Sequence, residues 1–307
     1  MPCAYCISTY NLSMESQDQV SKIQKTANTI YDLKDHSDVK FCKEIADFLV
    51  SKTGNFKETR LSNQDFGALV VSRFITVHGL LEMMAKKYGK KLQIIELGAG
   101  FTPHFLNLSH DVGKYVEVDF EFNSKLKKEI TQKLTEKKNA TFVAGDILSE
   151  EVWREIKNNV DVDKPVLIFS VGVVSPYFDS EQKEKLASLV KPFLVSGGSC
   201  FVIDDTLRNH PELRSNPIIR DAMDKVVSNS GSIVYHEEAC TFSTELDRWS
   251  RLINSDVCTV DYILSKPEMD FAVKEFKLII CANDRNKELE PGLLKLSSEN
   301  RLDRVWK

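Results

Sequence analysis

Along residues 92–204, short apolar runs alternate with segments in which apolar residues recur at helical spacing. The apolar runs predict five strands, at residues 92–97, 115–119, 141–144, 166–171 and 199–203. The intervening segments predict a turn and short helix through Leu108, and helices at residues 123–137, 150–158 and 180–193. Strands that alternate with helices indicate βαβ units, and therefore an α/β protein with a mostly parallel sheet.

The first ninety residues predict helices instead. Their apolar spacing predicts two helices in residues 17–50, with a break around residues 36–38, and a longer helix from residue 63 or 65 to Tyr88. Arg73 lies among the apolar positions of the long helix. It is either a surface arginine with a buried stem or a cation aimed at a carboxylate over the following turn. His78, on the same helix, is predicted at the helix surface.

Beyond residue 205 the pattern predicts helices at residues 216–229 and 244–253, and strands at 258–264 and 276–282. The two strands suit an antiparallel hairpin that closes the sheet. The predicted organisation is a poorly ordered start (1–16), an N-terminal helical lid (17–89), a main domain with C-terminal helical insertions (90–285) and a peripheral tail (286–307).

Two glycines, Gly98 and Gly100, directly follow the first predicted strand. Glycine permits a tight turn and lets backbone N–H groups approach a ligand, because no Cβ intervenes. Glu96 places an acid where the apolar strand meets this turn, which is costly unless hydrogen-bond donors surround it. The segment predicts a nucleotide-type site.

Ligands of such sheets bind at the carboxyl ends of the strands, so the residues at those ends indicate the ligand. Asp119 ends the second strand and can accept hydrogen bonds from ribose hydroxyls. Asp146 follows the third strand and can accept one from the exocyclic amine of adenine. Residues 170–175 follow the fourth.

A dinucleotide such as NAD is one candidate ligand, but its fingerprint needs a third glycine beside the pyrophosphate. Here Gly100 is followed by Phe101, Thr102 and Pro103. This turn suits a ligand without a pyrophosphate, such as S-adenosylmethionine. Arg73 or Lys34 could pair with the carboxylate of its amino-acid end.

Composition and charge bear on the class of protein. The net charge of −4 gives no electrostatic reason to expect nucleic acid, although charge alone does not exclude it. No apolar stretch predicts a signal peptide or a membrane span. Seven cysteines, an odd number, fit reduced thiols and a cytoplasmic location. Cys3 and Cys6 have zinc-ligand spacing but no second pair to complete a site, so no metal is predicted.

Residues 96–104, together with Asp119 and Asp146, resemble the motifs of the class I S-adenosylmethionine-dependent methyltransferases. Residues 115–120, followed by lysines, and the basic helical residues before the first strand are similar to the leucine carboxyl methyltransferase family, including its polyketide-type O-methyltransferase branch. The resemblance covers roughly residues 20–205. It implies a Rossmann-like fold with an antiparallel last strand, and S-adenosylmethionine as the cofactor. It also implies these cofactor-binding residues: Lys34, Arg73, Glu96, Gly98, Ala99, Gly100, Asp119, Phe120, Asp146, Ile147, Ser170 and Val171.

Two positions depart from that family. His104 replaces an arginine after the glycine turn, and Val171 replaces a glutamate after the fourth strand. His104 and Tyr177 are the candidate catalytic residues, on the methyl-acceptor side. The predicted function is methyl transfer to a carboxylate or hydroxyl of a small molecule. A fold that retains ligand or partner binding without turnover, motivated by Val171, and an NAD-dependent oxidoreductase are the alternatives.

Overall fold

A seven-stranded mixed sheet organises the protein, whose computed structural model describes residues 29–53, 64–204, 242–261 and 277–282. The strands are β1 (Gln93–Leu97), β2 (Lys114–Asp119), β3 (Ala140–Ala144), β4 (Val166–Ser170), β5 (Cys200–Asp204), β6 (Asp256–Asp261) and β7 (Lys277–Ala282). Their order across the sheet is β3-β2-β1-β4-β5-β7-β6. The first five strands are parallel, and β7 is antiparallel to both of its neighbours. The predicted α/β fold and its closing hairpin are confirmed.

The described helices cover both faces of this sheet. They are α1 (Thr29–His36), α2 (Cys42–Thr53), α3 (Gln64–Tyr88), α4 (His104–Asn107), α5 (Glu121–Leu134), α6 (Glu150–Asn159), α7 (Val174–Tyr177), α8 (Ser180–Val190) and α9 (Phe242–Ile253). Short 3₁₀ turns follow α3 and α8, at Gly89–Lys91 and Lys191–Phe193.

The inward side chains of β1 divide between two apolar cores. Ile94 packs with α1, α2 and α3 on one face of the sheet, through residues such as Leu33 and Phe74. Ile95 packs with α6, α8 and α9 on the other face, through residues such as Trp249. Alternate residues of one strand serve both faces because successive strand side chains point in opposite directions. Every residue of β1 is buried, as a central parallel strand requires.

The boundaries differ from the prediction where a local pattern was ambiguous. The helix predicted to reach residue 137 ends at Leu134, and β6 begins at Asp256, two residues before the predicted strand. β4 ends at Ser170, so Val171 belongs to the following loop. The predicted break between the first two helices is confirmed and lies between His36 and Cys42.

His78 does not lie at the helix surface as predicted; its side chain is 2% exposed. It lies on the same face of α3 as Phe74, four residues earlier, and the two rings are 5.7 Å apart. The apolar residues on this face of α3 pack against the protein interior, and the histidine among them is therefore buried too.

Several predictions lie outside the described residues. They concern the start of the chain with Cys3 and Cys6, the helix at residues 216–229, and the tail from residue 283. Among the described helices, none is long and apolar enough to cross a membrane.

Candidate functional site

A cavity opens at the carboxyl ends of β1, β2 and β4, beneath α1 and α3. Its walls combine the glycine turn after β1, the end of β2 and the loop after β4 with side chains from the two helices. The lining residues are Thr29, Leu33, Val70, Arg73, Phe74, Val77, Glu96, Leu97, Gly98, Ala99, Gly100, Thr102, His104, Asp119, Phe120, Asn123, Phe169, Val171, Gly172, Val173 and Tyr177. Most of the predicted site residues therefore meet in one place.

The backbone amides of the glycine turn are already used inside the protein. The N–H groups of Gly98 and Ala99 donate to the carbonyl of Val118, at 2.8 and 3.0 Å. The N–H of Gly100 donates to Oδ2 of Asp119, at 2.7 Å. These three amides are therefore paired inside the protein, and they do not form the row of free donors that cradles a pyrophosphate.

Close approach of two loops explains the first glycine of the turn. Gly98 has a φ of +68°, a conformation that glycine adopts readily. A Cβ on Gly98 would clash with Cγ2 of Val173, in the loop after β4. The absence of a side chain therefore lets the loops after β1 and β4 meet at the cavity.

Glu96 has the hydrogen-bond donors that its position requires. Thr102 Oγ1 donates to Oε1 at 2.8 Å, and the Tyr115 hydroxyl donates to Oε2 at 2.7 Å. Burial raises the pKa of Glu96 to about 8, although nearby Lys127 acts in the opposite direction. Through its hydrogen bonds with Thr102 and Tyr115, Glu96 links the glycine turn to β2.

Lys127, which was not predicted as a site residue, binds the carbonyl groups of the same turn. Its Nζ donates to the carbonyl oxygens of Thr102 at 2.7 Å and Gly100 at 3.3 Å. The same atom lies 3.2 Å from Oε2 of Glu117, and both side chains are 2% exposed. Helical spacing could have revealed it, because Lys127 lies three residues before buried Ile130 on the inward face of α5.

Asp119 presents a half-buried carboxylate at the end of β2. Besides the Gly100 amide, the N–H of Phe120 and Nδ2 of Asn123 donate to its Oδ1, at 2.8 and 2.9 Å. Burial raises the pKa of Asp119, and these three hydrogen bonds oppose the rise. A carboxylate has about four lone-pair sites, so about one remains for a ligand hydroxyl.

Arg73 supplies a cation on the opposite side of the cavity. Its side chain is 23% exposed, and Nη1 lies 3.7 Å from Oδ2 of Asp204, which ends β5. The N–H of Gly172 donates to both oxygens of Asp204, at 3.0 and 2.9 Å. Arg73 is thus a partly buried cation that lines the cavity, and its guanidinium lies on Gly172 in the loop after β4. Sequence reasoning missed Asp204 as a partner because only the pairing of β4 with β5 brings it to this loop.

His104 is a buried part of the cavity wall. Its ring stacks on Phe74 at 4.2 Å and meets the edge of Phe169 at 5.6 Å. Its Nδ1 is buried without a hydrogen-bond partner. Burial lowers the pKa of His104 well below its usual value, so the ring is neutral at pH 7.

Four predicted cofactor residues do not line the cavity. Lys34 lies on α1, whose Thr29 and Leu33 do line it. Asp146 is exposed and accepts a hydrogen bond from the Leu148 N–H at 2.9 Å. Ile147 is buried in the core beside α6. Ser170 donates from Oγ to the Leu97 carbonyl at 3.2 Å and so joins the ends of β4 and β1.

Solved structures share this architecture. A proposed methyltransferase from Thermobifida fusca has a TM-score of 0.53 at 13% identity, over 84% of this chain and 94% of that protein. A DUF574 family protein from Streptomyces avermitilis has a TM-score of 0.56 at 10% identity, over 84% of this chain and 97% of that protein. The chain has a methyltransferase fold. No family model and no curated protein matches the sequence.

The methyltransferase fold confirms the Rossmann-like architecture that the resemblance implied. At these identities the likeness concerns the path of the chain, because folds host many functions. The identity of the ligand therefore has to be argued from the cavity itself.

Proposed function

We propose that this protein is an S-adenosylmethionine-dependent methyltransferase that acts on an oxygen atom of a small molecule. The observation that carries the proposal is the pairing of Asp119 and Arg73 across one cavity. Asp119 ends β2, and the guanidinium of Arg73, a residue of α3, lies on Gly172 in the loop after β4. β2 and β4 flank β1. At about 4.8 Å per strand spacing, the ends of β2 and β4 lie roughly 10 Å apart. A nucleoside joined to an amino acid needs a hydroxyl acceptor at one end and a carboxylate partner at the other.

The residues present fit that cofactor better than a dinucleotide. Asp119 retains capacity for a ribose hydroxyl, and Arg73 can bind the carboxylate of the amino-acid end. The amides of Gly98, Ala99 and Gly100 are satisfied within the protein, which disfavours a pyrophosphate and hence NAD. When bound, S-adenosylmethionine would supply the methyl group, and the protein would supply alignment and exclusion of water.

The chemistry of the cavity favours a carboxylate as the methyl acceptor. A hydroxyl acceptor needs a base, and its pKa near 10 for a phenol lies far above that of a histidine. Because burial holds the pKa of His104 well below its usual value, this ring is a poor base for such a proton. A carboxylate is already ionised near pH 7 and needs no base. Tyr177, which also lines the cavity, is the candidate for orienting the acceptor.

Titration calorimetry with S-adenosylmethionine and S-adenosylhomocysteine tests the cofactor. Asp119→Ala should weaken binding by about 1–3 kcal/mol, because a ligand hydroxyl loses its acceptor. Asp111→Ala is the matched control, since that carboxylate is 73% exposed and outside the cavity. Tight binding of NAD, with no heat from either sulfur compound, would overturn the proposal.

A second candidate is a binding protein that has the fold without turnover. It is motivated by Val171, an apolar residue on the cavity wall where the resembled family has an acid. Incubation with labelled S-adenosylmethionine and a panel of carboxylic acids and phenols separates the two. Cofactor binding without methyl transfer to any acceptor would favour the second candidate.

A further inference from the structure

The carboxylate of Asp204 is buried where β5 meets the loop after β4. Its side chain is 6% exposed, and both oxygens accept from the Gly172 N–H. A buried carboxylate requires compensation by donors or by a cation. Burial raises the pKa of Asp204, whereas Arg73 and the Gly172 amide oppose the rise and favour the ionised form.

The guanidinium of Arg73 lies flat on Gly172. A Cβ built on Gly172 would lie 2.8 Å from Nη1, 3.0 Å from Cζ and 3.0 Å from Nη2 of Arg73. Three guanidinium atoms at nearly equal distance mean that the face of the group, rather than one tip, covers the glycine. Gly172 also has a φ of +76°, so glycine suits both the backbone and the contact.

Together, Asp204, Gly172 and Arg73 form one unit, which we call the arginine clamp. The long side chain of an arginine has many rotamers, and restricting them on ligand binding costs free energy unless the protein has already restricted them. In the clamp, the Asp204 carboxylate attracts Nη1 of Arg73, and the face of the guanidinium packs on Gly172. Arg73 nevertheless lines the cavity. A guanidinium has five N–H donors, so attraction to one carboxylate leaves donors for a second anion.

We propose that Asp204 is a positioning residue, which holds Arg73 in the direction that receives the anionic end of the cofactor. Asp204 does not line the cavity and acts through Arg73. The proposal rests on the proposed function, because it takes the carboxylate of S-adenosylmethionine as the anion. It extends that function to a residue on β5, a strand that contributes no lining residue to the cavity.

A double-mutant cycle on S-adenosylhomocysteine affinity tests the clamp. Asp204→Asn retains an oxygen that can accept from Gly172 but removes the negative charge. This variant should bind roughly tenfold more weakly, a change within the range of coupling between contacting charged residues. In an Arg73→Met background, the same change should alter affinity less than twofold. Equal weakening in both backgrounds would show that Asp204 does not act through Arg73.

Gly172→Ala disturbs the arginine clamp at the contact between Gly172 and Arg73. It is the second test variant if Asp204→Asn fails to fold. The added methyl group leaves both carboxylate oxygens in place but displaces the guanidinium. We expect weaker binding in this variant too, and again almost no further loss in the Arg73→Met background. Unchanged affinity for Gly172→Ala would overturn the proposal.

The wild-type titration separates this inference from the proposed function. Without affinity for either sulfur compound, the proposed function fails and the inference fails with it. If the wild type binds but the cycle is additive, only the role of Asp204 fails. Asp111→Asn, an exposed aspartate, is the control and should leave affinity unchanged.

Discussion

At the scale of single residues, the turn after β1 is held by side chains from beneath. Glu96 receives two hydroxyl donors, and Lys127 reaches two carbonyl oxygens of the turn. Glu117 lies 3.2 Å from Lys127 and completes the cluster. Removing one member of a buried charge pair leaves the other uncompensated, so these residues have large expected effects on stability.

Lys127→Met should lower the free energy of unfolding by about 3–5 kcal/mol, because Glu117 would remain buried without its cation. Lys133→Met on the same helix is the matched control. Lys133 is 56% exposed and pairs with Glu129, so its loss should cost about 1 kcal/mol or less. Chemical denaturation of both variants measures the difference. Similar losses in the two variants would contradict the assigned role of Lys127.

Glu96 should make stability depend on pH. Its pKa is about 8 in the folded protein and near the usual 4.5 when unfolded. The folded state therefore retains a proton between these values, and this contribution to stability is lost as the pH rises from about 5 to 8. Relative to Glu96→Gln, the wild type should lose up to about 1.4 kcal/mol per pH unit across the window. Denaturation of both proteins from pH 5 to 9 measures this, and a constant difference would contradict it.

At the level of helices, strands and loops, the site depends on two loops that can come close because Gly98, in the first of them, has no side chain. The turn after β1 and the loop after β4 meet at Gly98 and Val173, and the second loop carries the guanidinium of Arg73 on Gly172. The sequence shows the first glycine pair through its position after an apolar strand. The contact between the two loops follows from the adjacency of β1 and β4 in the sheet.

Gly98→Ala should destabilise the protein by about 1–3 kcal/mol, because of its positive φ and the clash with Val173. It should also weaken cofactor binding, since the two loops form adjacent cavity walls. Gly197→Ala is the control: a Cβ there meets nothing within 4 Å. That change should stay within about 1 kcal/mol of the wild type. Denaturation and calorimetry of both variants measure these effects, and equal behaviour would show that the loop contact is unimportant.

In the molecule as a whole, different helices cover the two faces of the sheet, and the cavity is continuous with the core on one of them. The face under α1 and α3 continues into the cavity through Leu33, Val70 and Phe74. The opposite face is closed by α8 and α9, where Nζ of Lys183 lies 2.7 Å from Oε1 of Glu245. Both faces therefore carry an apolar core, and the core under α1 and α3 also reaches the cavity.

The parallel core, the closing hairpin and the carboxyl ends of the five parallel strands, to within one residue, could be predicted from the sequence alone. This is possible because strand and helix periodicities are local properties of the chain. Gly98, Gly100 and Asp119 were identified for the same reason, since each directly follows or ends an apolar strand.

The hydrogen-bond and ion-pair partners of the buried polar groups became apparent only in the folded chain. The tertiary structure assigned the amides of the glycine turn to Val118 and Asp119, buried His78, and brought Lys127 beneath the turn. It also brought Asp204 to Arg73, 131 positions away in a chain of 307 residues. Buried charges and donors interact with the groups that lie near them in the folded protein. Their separation along the chain does not reveal which groups the sheet brings together.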